Sequence, residues 1–193
     1  MTEFPTIWFL RHGQTTWNAV RRVQGQLESD LTELGRAQAG QQADLIAPIL
    51  KAHKPHCLVS PLRRAQQTAA IALGGHPMVR DARLAEAQAG VFQGMTMDEI
   101  DARYPDIYGA NPKALDLFCA APEGEGYAAF EARVRAVLAG LDGPTVMVGH
   151  GLWGQVLRGL ICGLSHAETA ALPNLQGCVY ELKGGRERVL QVE

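Results

Sequence analysis

Short apolar runs alternate along this chain with stretches whose apolar residues recur at helical spacing. The first run, Thr6–Leu10, is rich in β-branched and aromatic residues and reads as a strand buried on both faces. A polar stretch with Gly13, Asn18 and Gly25 follows and predicts a long loop, or a loop with a short helix. Long loops inside compact domains are often functional. Thr32 is placed to cap a helix from Glu33 to Lys51, which Pro48 is expected to bend or divide. Cys57–Val59 predicts a second strand, Leu62–Leu73 a helix and Met78–Leu84 a third strand. Between Met95 and Pro122 the pattern weakens. Met97–Tyr104 has helical period, while Pro105, Pro112 and Pro122 punctuate the rest. Residues 95–122 therefore read as a helical insertion or lid over one end of the sheet. Tyr127–Leu141 is a helix, with apolar positions at Phe130, Val134, Val137, Leu138 and Leu141. Thr145–Val148 is a fourth buried strand and Trp153–Ile161 a further helix. Val179–Leu182 and Arg188–Val192 form a terminal pair joined at Gly184-Gly185. This alternation predicts an α/β fold, three-layer α/β/α with a mostly parallel sheet, as a single domain over residues 1–193.

Composition narrows the class without changing that outline. A hydrophobic share of 47% against a charged share of 20% supplies a core of ordinary size for a globular chain. The net charge of −2 argues against non-specific binding to nucleic acid or membrane. No apolar run approaches the roughly 20 residues that span a bilayer, and Met1–Pro5 lacks the layout of a secretory signal. A cytoplasmic location is expected. Cys57, Cys119, Cys162 and Cys178 lie far apart, in no metal or disulfide pattern, and read as small buried hydrophobes. His53 and His56 flank Pro55, which argues against one helix presenting both as metal ligands.

The candidate chemistry lies at strand ends. Leu10-Arg11-His12-Gly13 and Val148-Gly149-His150-Gly151 both place a histidine and then a glycine where an apolar strand stops. Open α/β sheets bind ligands at the carboxyl ends of their strands. Gly13 is expected to leave approach to His12 unblocked. A third strand end runs into Ser60-Pro61-Leu62-Arg63-Arg64. Cations at a helix N-terminus oppose the macrodipole, so an anion is expected there, held by one of the two arginines. Trp17 and Trp153 are assigned to core packing. Arg21 and Arg22 either meet a second anionic group or are solvated.

Taken in order, the motifs resemble the histidine phosphatase superfamily, the group containing cofactor-dependent phosphoglycerate mutases and many phosphatases. The matching pieces are Arg11–Asn18, Arg22–Gly25, Leu31–Gly35, Ser60–Thr68, Glu86 with Gly90 and Gly94, and Gly149–Gly151. The resemblance implies a phosphoglycerate mutase-like fold with a small helical insertion. It implies that His12 is the nucleophile and forms a phosphohistidine. Arg11, Arg64 and His150 would clamp the phosphoryl oxygens, and Glu86 would be the general acid that later activates water. Asn18 and Gln24 match phosphate-pocket residues, and Arg22 joins them as a substrate-binding candidate. No metal and no cofactor are implied. Phosphoryl transfer is mostly positioning and charge stabilisation, which these side chains supply. Arg11 and Arg64 should keep His12 neutral, and the apolar neighbours Leu84 and Ala85 should favour the protonated form of Glu86.

The match also departs from the family pattern. Gln93 stands where phosphatases of the family carry glutamate, which favours the mutase branch. The short chain, Leu152 after His-Gly, and the absence of the mutases' insertion favour a phosphatase. Gly126 stands where a serine is common. The implied activity is hydrolysis of a small phosphate monoester. The alternatives are a cofactor-dependent phosphoglycerate mutase, an inactive phosphate-binding module, and a metallohydrolase built on His12, His150 and Glu86. The implied partner is a small phosphorylated metabolite, with no nucleic acid and no membrane; a homodimer stays open. Selectivity is expected to lie in residues 95–122.

Overall fold

A computed structural model describes residues 4–109 and 112–192; residues 110 and 111 of the 95–122 segment lie outside them. Six strands form one sheet in the order β3-β2-β4-β1-β5-β6. Strands β1 (Ile7–Arg11), β2 (His56–Val59), β3 (Val79–Arg80) and β4 (Thr145–Gly149) run parallel, and β5 (Val179–Lys183) and β6 (Arg186–Leu190) are antiparallel to their neighbours. The helices are α1 (Thr16–Ala19), α2 (Glu33–His53), α3 (Arg63–Ala72), α4 (Met97–Arg103), α5 (Pro105–Tyr108), α6 (Ala114–Cys119), α7 (Gly126–Leu138), α8 (Gly151–Cys162) and α9 (His166–Ala171). No helix among the described residues is long and apolar enough to cross a membrane.

The side-chain period of a strand sends β1 residues to two different cores. Ile7 and Phe9 pack with Met147, Phe130, Trp153 and Val156 under α7 and α8. Trp8 and Leu10 pack with Val146, Val148, Ile46, Ala65 and Ala69 under α2 and α3. The result is the three-layer α/β/α arrangement with a mostly parallel sheet. A third cluster, Val23, Ala89, Phe92, Ile100, Leu117 and Ala121, joins the 95–122 helices to the first long loop.

Several local expectations are corrected. Pro48 neither divides nor ends α2, which runs unbroken over 21 residues. The lost hydrogen bond falls on the exposed face, where Asp44 and Pro48 both meet solvent. Ile46 and Leu50 meanwhile anchor the helix in the core. The strand expected over Met78–Leu84 shrinks to Val79–Arg80, because the Asp81 carboxylate accepts from the Arg83 amide (2.8 Å) and starts a 3-10 turn over Ala82–Leu84. That turn leads the chain to Glu86. The closing hairpin forms at Gly184-Gly185, both with positive φ, but β6 spans Arg186–Leu190 rather than Arg188–Val192.

Candidate active site

The sheet order sets β1, β4 and β2 side by side, so their carboxyl ends converge. The His12 amide donates to Gly149 O and the Ser60 amide to Val148 O, both at 3.0 Å, continuing the ladders past the strands. His12, His150 and Ser60 are thereby neighbours. The two imidazoles lie 5.3 Å apart, centroid to centroid, nearly edge-on.

His12 is buried, and its Nδ1 lies 2.7 Å from Gly13 O. A carbonyl only accepts, so Nδ1 carries the proton and Nε2 keeps its lone pair. Burial, reinforced by the Arg64 and Arg11 cations, holds this imidazole well below the usual histidine range. His12 is therefore a neutral base with a free Nε2. The expectation that Gly13 serves access to His12 is corrected. A Cβ there would stand 2.1 Å from Gly35 O, so the glycine admits the α2 backbone instead.

Arg64, in the first turn of α3, is fully buried. It donates to Leu27 O (2.8 Å), Gly25 O (2.7 Å) and His150 Nδ1 (3.2 Å). Burial pushes its pKa down to about 10, so it stays cationic at neutral pH. His150 accepts at Nδ1 and donates from Nε2 to Ser60 Oγ at 2.7 Å. Its burial and the neighbouring Arg64 hold it well below the histidine range too. Arg63 points elsewhere and is exposed. Its amide donates to Glu28 Oε2 (2.9 Å), so an anion at this helix start is the protein's own carboxylate.

Glu86 is held at the N-terminus of α8. Oε1 accepts from the Ala87 and Trp153 amides and Oε2 from the Leu152 amide, each at 3.0 Å. α8 has no side-chain cap from its own N-cap residue, and Glu86 satisfies amides that a helix start leaves free. The apolar surroundings expected from Leu84 and Ala85 are corrected: the carboxyl group of Glu86 lies among three amide donors, which those two neighbours do not foretell.

Arg11 donates from Nη1 to Asn174 O, and its buried Nε has no protein partner. Gln176 Nε2 donates to His12 O (3.0 Å) and Gln42 Nε2 to Arg11 O (2.9 Å). Sequence reasoning missed Asn174, Gln176, Gln42 and the Ser60 hydroxyl as supports. Only Ser60 carried a signal, its place in the third strand-end motif.

One cavity of about 400 Å³ is lined by Arg11, His12, Asn18, Arg22, Gln24, Arg64 and Glu86. Of the sequence candidates only His150 is not on its surface; it stands behind, bonded to Arg64 and Ser60. Asn18 Oδ1 caps its own helix through the Thr15 amide (3.2 Å). Gln24 is buried, and its Oε1 has no partner. Arg22 donates to Gly94 O and lies 5.7 Å over the Trp17 ring, which is only partly buried. Trp17 thus supports the rim, whereas Trp153 is a core residue stacked on Phe9. Exposed Arg21, at φ +52, also reaches the cavity. Met97, Tyr108, Pro112, Ala114, Leu117 and Phe118 contribute a mainly apolar wall to the same cavity. Among the described residues no group of three or more His, Cys, Asp or Glu is arranged to hold a metal ion.

A sequence profile of the histidine phosphatase superfamily (branch 1) matches residues 7–193. The chain belongs to this family. It is a histidine-phosphatase-type hydrolase. This histidine phosphatase is 39% identical, over 91% of its length and 77% of the relative's, to a glucosyl-3-phosphoglycerate phosphatase of Mycolicibacterium vanbaalenii. It is 35% identical, over 84% and 77%, to a Yersinia pestis protein named "Probable phosphoglycerate mutase GpmB". The solved mycobacterial glucosyl-3-phosphoglycerate phosphatase in complex with VO3 shares the fold at TM-score 0.76 and 30% identity, covering 97% of each chain. In the present histidine phosphatase Gln93 does not reach the cavity. Its Oε1 accepts from the Gln26 amide (2.7 Å) against Gly25, whose φ of +51 and lack of a side chain allow that contact.

Proposed function

We propose that this histidine phosphatase hydrolyses a small phosphate monoester, without a metal, through a phosphohistidine on His12. The carrying observation is the Nδ1 of His12 engaged by Gly13 O, which leaves a neutral Nε2 on a residue that shares its cavity lining with Arg11 and Arg64. In the first half-reaction Nε2 bonds to phosphorus and the P–O bond to the leaving alcohol breaks, with Glu86 giving that oxygen a proton. In the second, Glu86 takes a proton from water as the water attacks, the N–P bond breaks, and phosphate leaves with His12 neutral again. Arg11 and Arg64 offset charge on the phosphoryl oxygens, with Asn18 and Gln24 as further donors. His150 acts one step removed, fixing the Arg64 fork. The substrate body lies against Met97, Leu117 and Phe118, and Arg21 and Arg22 meet an anionic group at the rim. The 39% likeness to a glucosyl-3-phosphoglycerate phosphatase supports an acidic sugar phosphate as the substrate class.

Rapid-quench labelling with a radioactive monoester tests the reading. Wild-type protein yields acid-labile phosphoprotein, and His12→Ala yields neither label nor turnover. Persistent label in His12→Ala, or strict loss of activity in chelator, refutes it. The 35% likeness to a protein named as a mutase favours one second reading, re-transfer of the phosphoryl group. Isomerisation of 3-phosphoglycerate faster than its hydrolysis would establish that reading instead.

A further inference from the structure

Glu86 is anchored from two sides. Its carboxylate rests on the α8 amides, and its backbone rests on a residue that no motif singled out. Arg133, on α7, donates from Nη1 to Arg83 O (2.7 Å) and Ala85 O (2.6 Å), and from Nη2 to Glu86 O (3.3 Å). The same guanidinium pairs with Glu125, Nη2 to Oε1 at 2.7 Å and Nε to Oε2 at 3.3 Å. Glu125 in turn brackets Gln88, accepting from its amide (2.7 Å) and donating its own amide to Gln88 O (3.0 Å). Both side chains are about four-fifths buried, at 19% and 18% exposure, so this pair is shielded from screening.

We propose that Arg133, fixed by Glu125, is a positioning residue for Glu86. The proposal rests on Glu86 being the general acid and base. The loop from Arg83 to Gln88 has no regular structure beyond its opening 3-10 turn, so its own backbone cannot fix the carboxyl group. Three carbonyls within four residues instead converge on one planar fork, which uses every guanidinium nitrogen. Lysine lacks that fork and would satisfy only part of the set. Misplacing a proton donor by about 1 Å costs on the order of 100-fold in rate, so this clasp acts on chemistry while touching no substrate.

The test compares an alkyl with an aryl phosphate in four proteins: Arg133→Lys, Glu125→Gln, Glu86→Gln and the Arg133→Lys/Glu86→Gln double variant. The alkyl ester needs a proton on its leaving oxygen; the aryl ester needs it far less. Arg133→Lys and Glu125→Gln should each lose about tenfold more kcat/KM, which reports only the leaving-group half-reaction, on the alkyl ester than on the aryl ester. In the Glu86→Gln background the Arg133→Lys loss should vanish, since the group it positions is gone. Equal losses on both esters, or losses that multiply with that of Glu86→Gln, overturn the proposal. So does a large rise in the inhibition constant of inorganic phosphate, which would place the effect at the cations around His12. Equal losses in Glu86→Gln alone instead overturn the general-acid reading, and that result needs no Arg133 variant.

Discussion

Two neutral imidazoles sealed in one site make stability fall with acid, and the size of the fall follows from their burial. His12 and His150 are 3% and 0% exposed, and both are held well below the ordinary range, first by burial and then by nearby arginine cations. In the unfolded chain each titrates near 6.5. A depressed folded pKa gives stability that is present above the unfolded value and is lost as pH falls toward the folded one. Between pH 7.5 and 5.5 each group should cost about 1.4 kcal/mol, and the pair about 2.7 kcal/mol. His150→Gln removes one group, so the same pH step should cost that variant about half as much. The carboxyls of Asp81, Glu99 and Glu168 are held below the carboxylate range by hydrogen bonds, so they do not titrate in this window. Urea unfolding followed by tryptophan fluorescence at pH 7.5, 6.5 and 5.5 measures the slope. Phosphate buffer is omitted, because an anion bound to the folded state would mask the term. A parent stability that is flat over this range, or a His150→Gln slope equal to the parent's, refutes the assignment of neutral, buried imidazoles.

Three other perturbations separate the parts of the structure. Arg64→Ala should lower kcat/KM by about 100-fold or more, the scale for removing one transition-state donor; Arg63→Ala should cost far less, and the opposite order in steady-state assays would mean the wrong arginine faces the phosphoryl group. Gly13→Ala should destabilise by about 3 kcal/mol through its clash with Gly35 O, and an unchanged melting temperature would show that α2 gives way freely. Glu187→Ala strips the partner from Arg158, which is 1% exposed and bound to Glu187 at 2.5 and 2.9 Å; a loss of about 3–5 kcal/mol in denaturant unfolding is expected, and a loss below about 1 kcal/mol would mean that water reaches the guanidinium.

What could be read from the sequence was local. The buried strands announce themselves by apolar runs, and the chemistry of their ends lies within four residues of them, as in Phe9–Gly13 and Val148–Gly151. What could not be read was non-local. Two of the three amides that hold Glu86 lie 66 and 67 residues further on, and the carbonyl that holds Arg11 lies 163 residues away. No periodicity reports such partners. The misread strand at Met78–Leu84 has the same root: Asp81 is unremarkable in a sequence, yet its side chain turns the backbone. Gly13 was legible as a glycine but not for its purpose, because Gly35 enters the argument only once α2 is in place.

The residues divide into two sets with different supports, and that division bears on substrate choice. His12, His150 and Ser60 are placed by sheet register, with Arg64 in the turn that follows. The rim and wall rest on a separate small core: Val23 packs with Phe92, Ile100 and Leu117. Backbone bonds join the same two segments, from the Val23 amide to Met95 O (2.8 Å) and from the Gly94 amide to Val23 O (2.9 Å). The loop bearing Asn18, Arg22 and Gln24 is thus one unit with the segment bearing Met97, Leu117 and Phe118. Val23, Ala89, Phe92, Ile100, Leu117 and Ala121 belong to neither cluster around the sheet, so substitutions among them reshape the wall with least effect on the strand ends, whereas Leu115 and Phe118 tie α6 to the core under α7 and α8. A chain built this way keeps its phosphoryl chemistry while its substrate changes, which fits relatives named for a phosphatase and for a mutase.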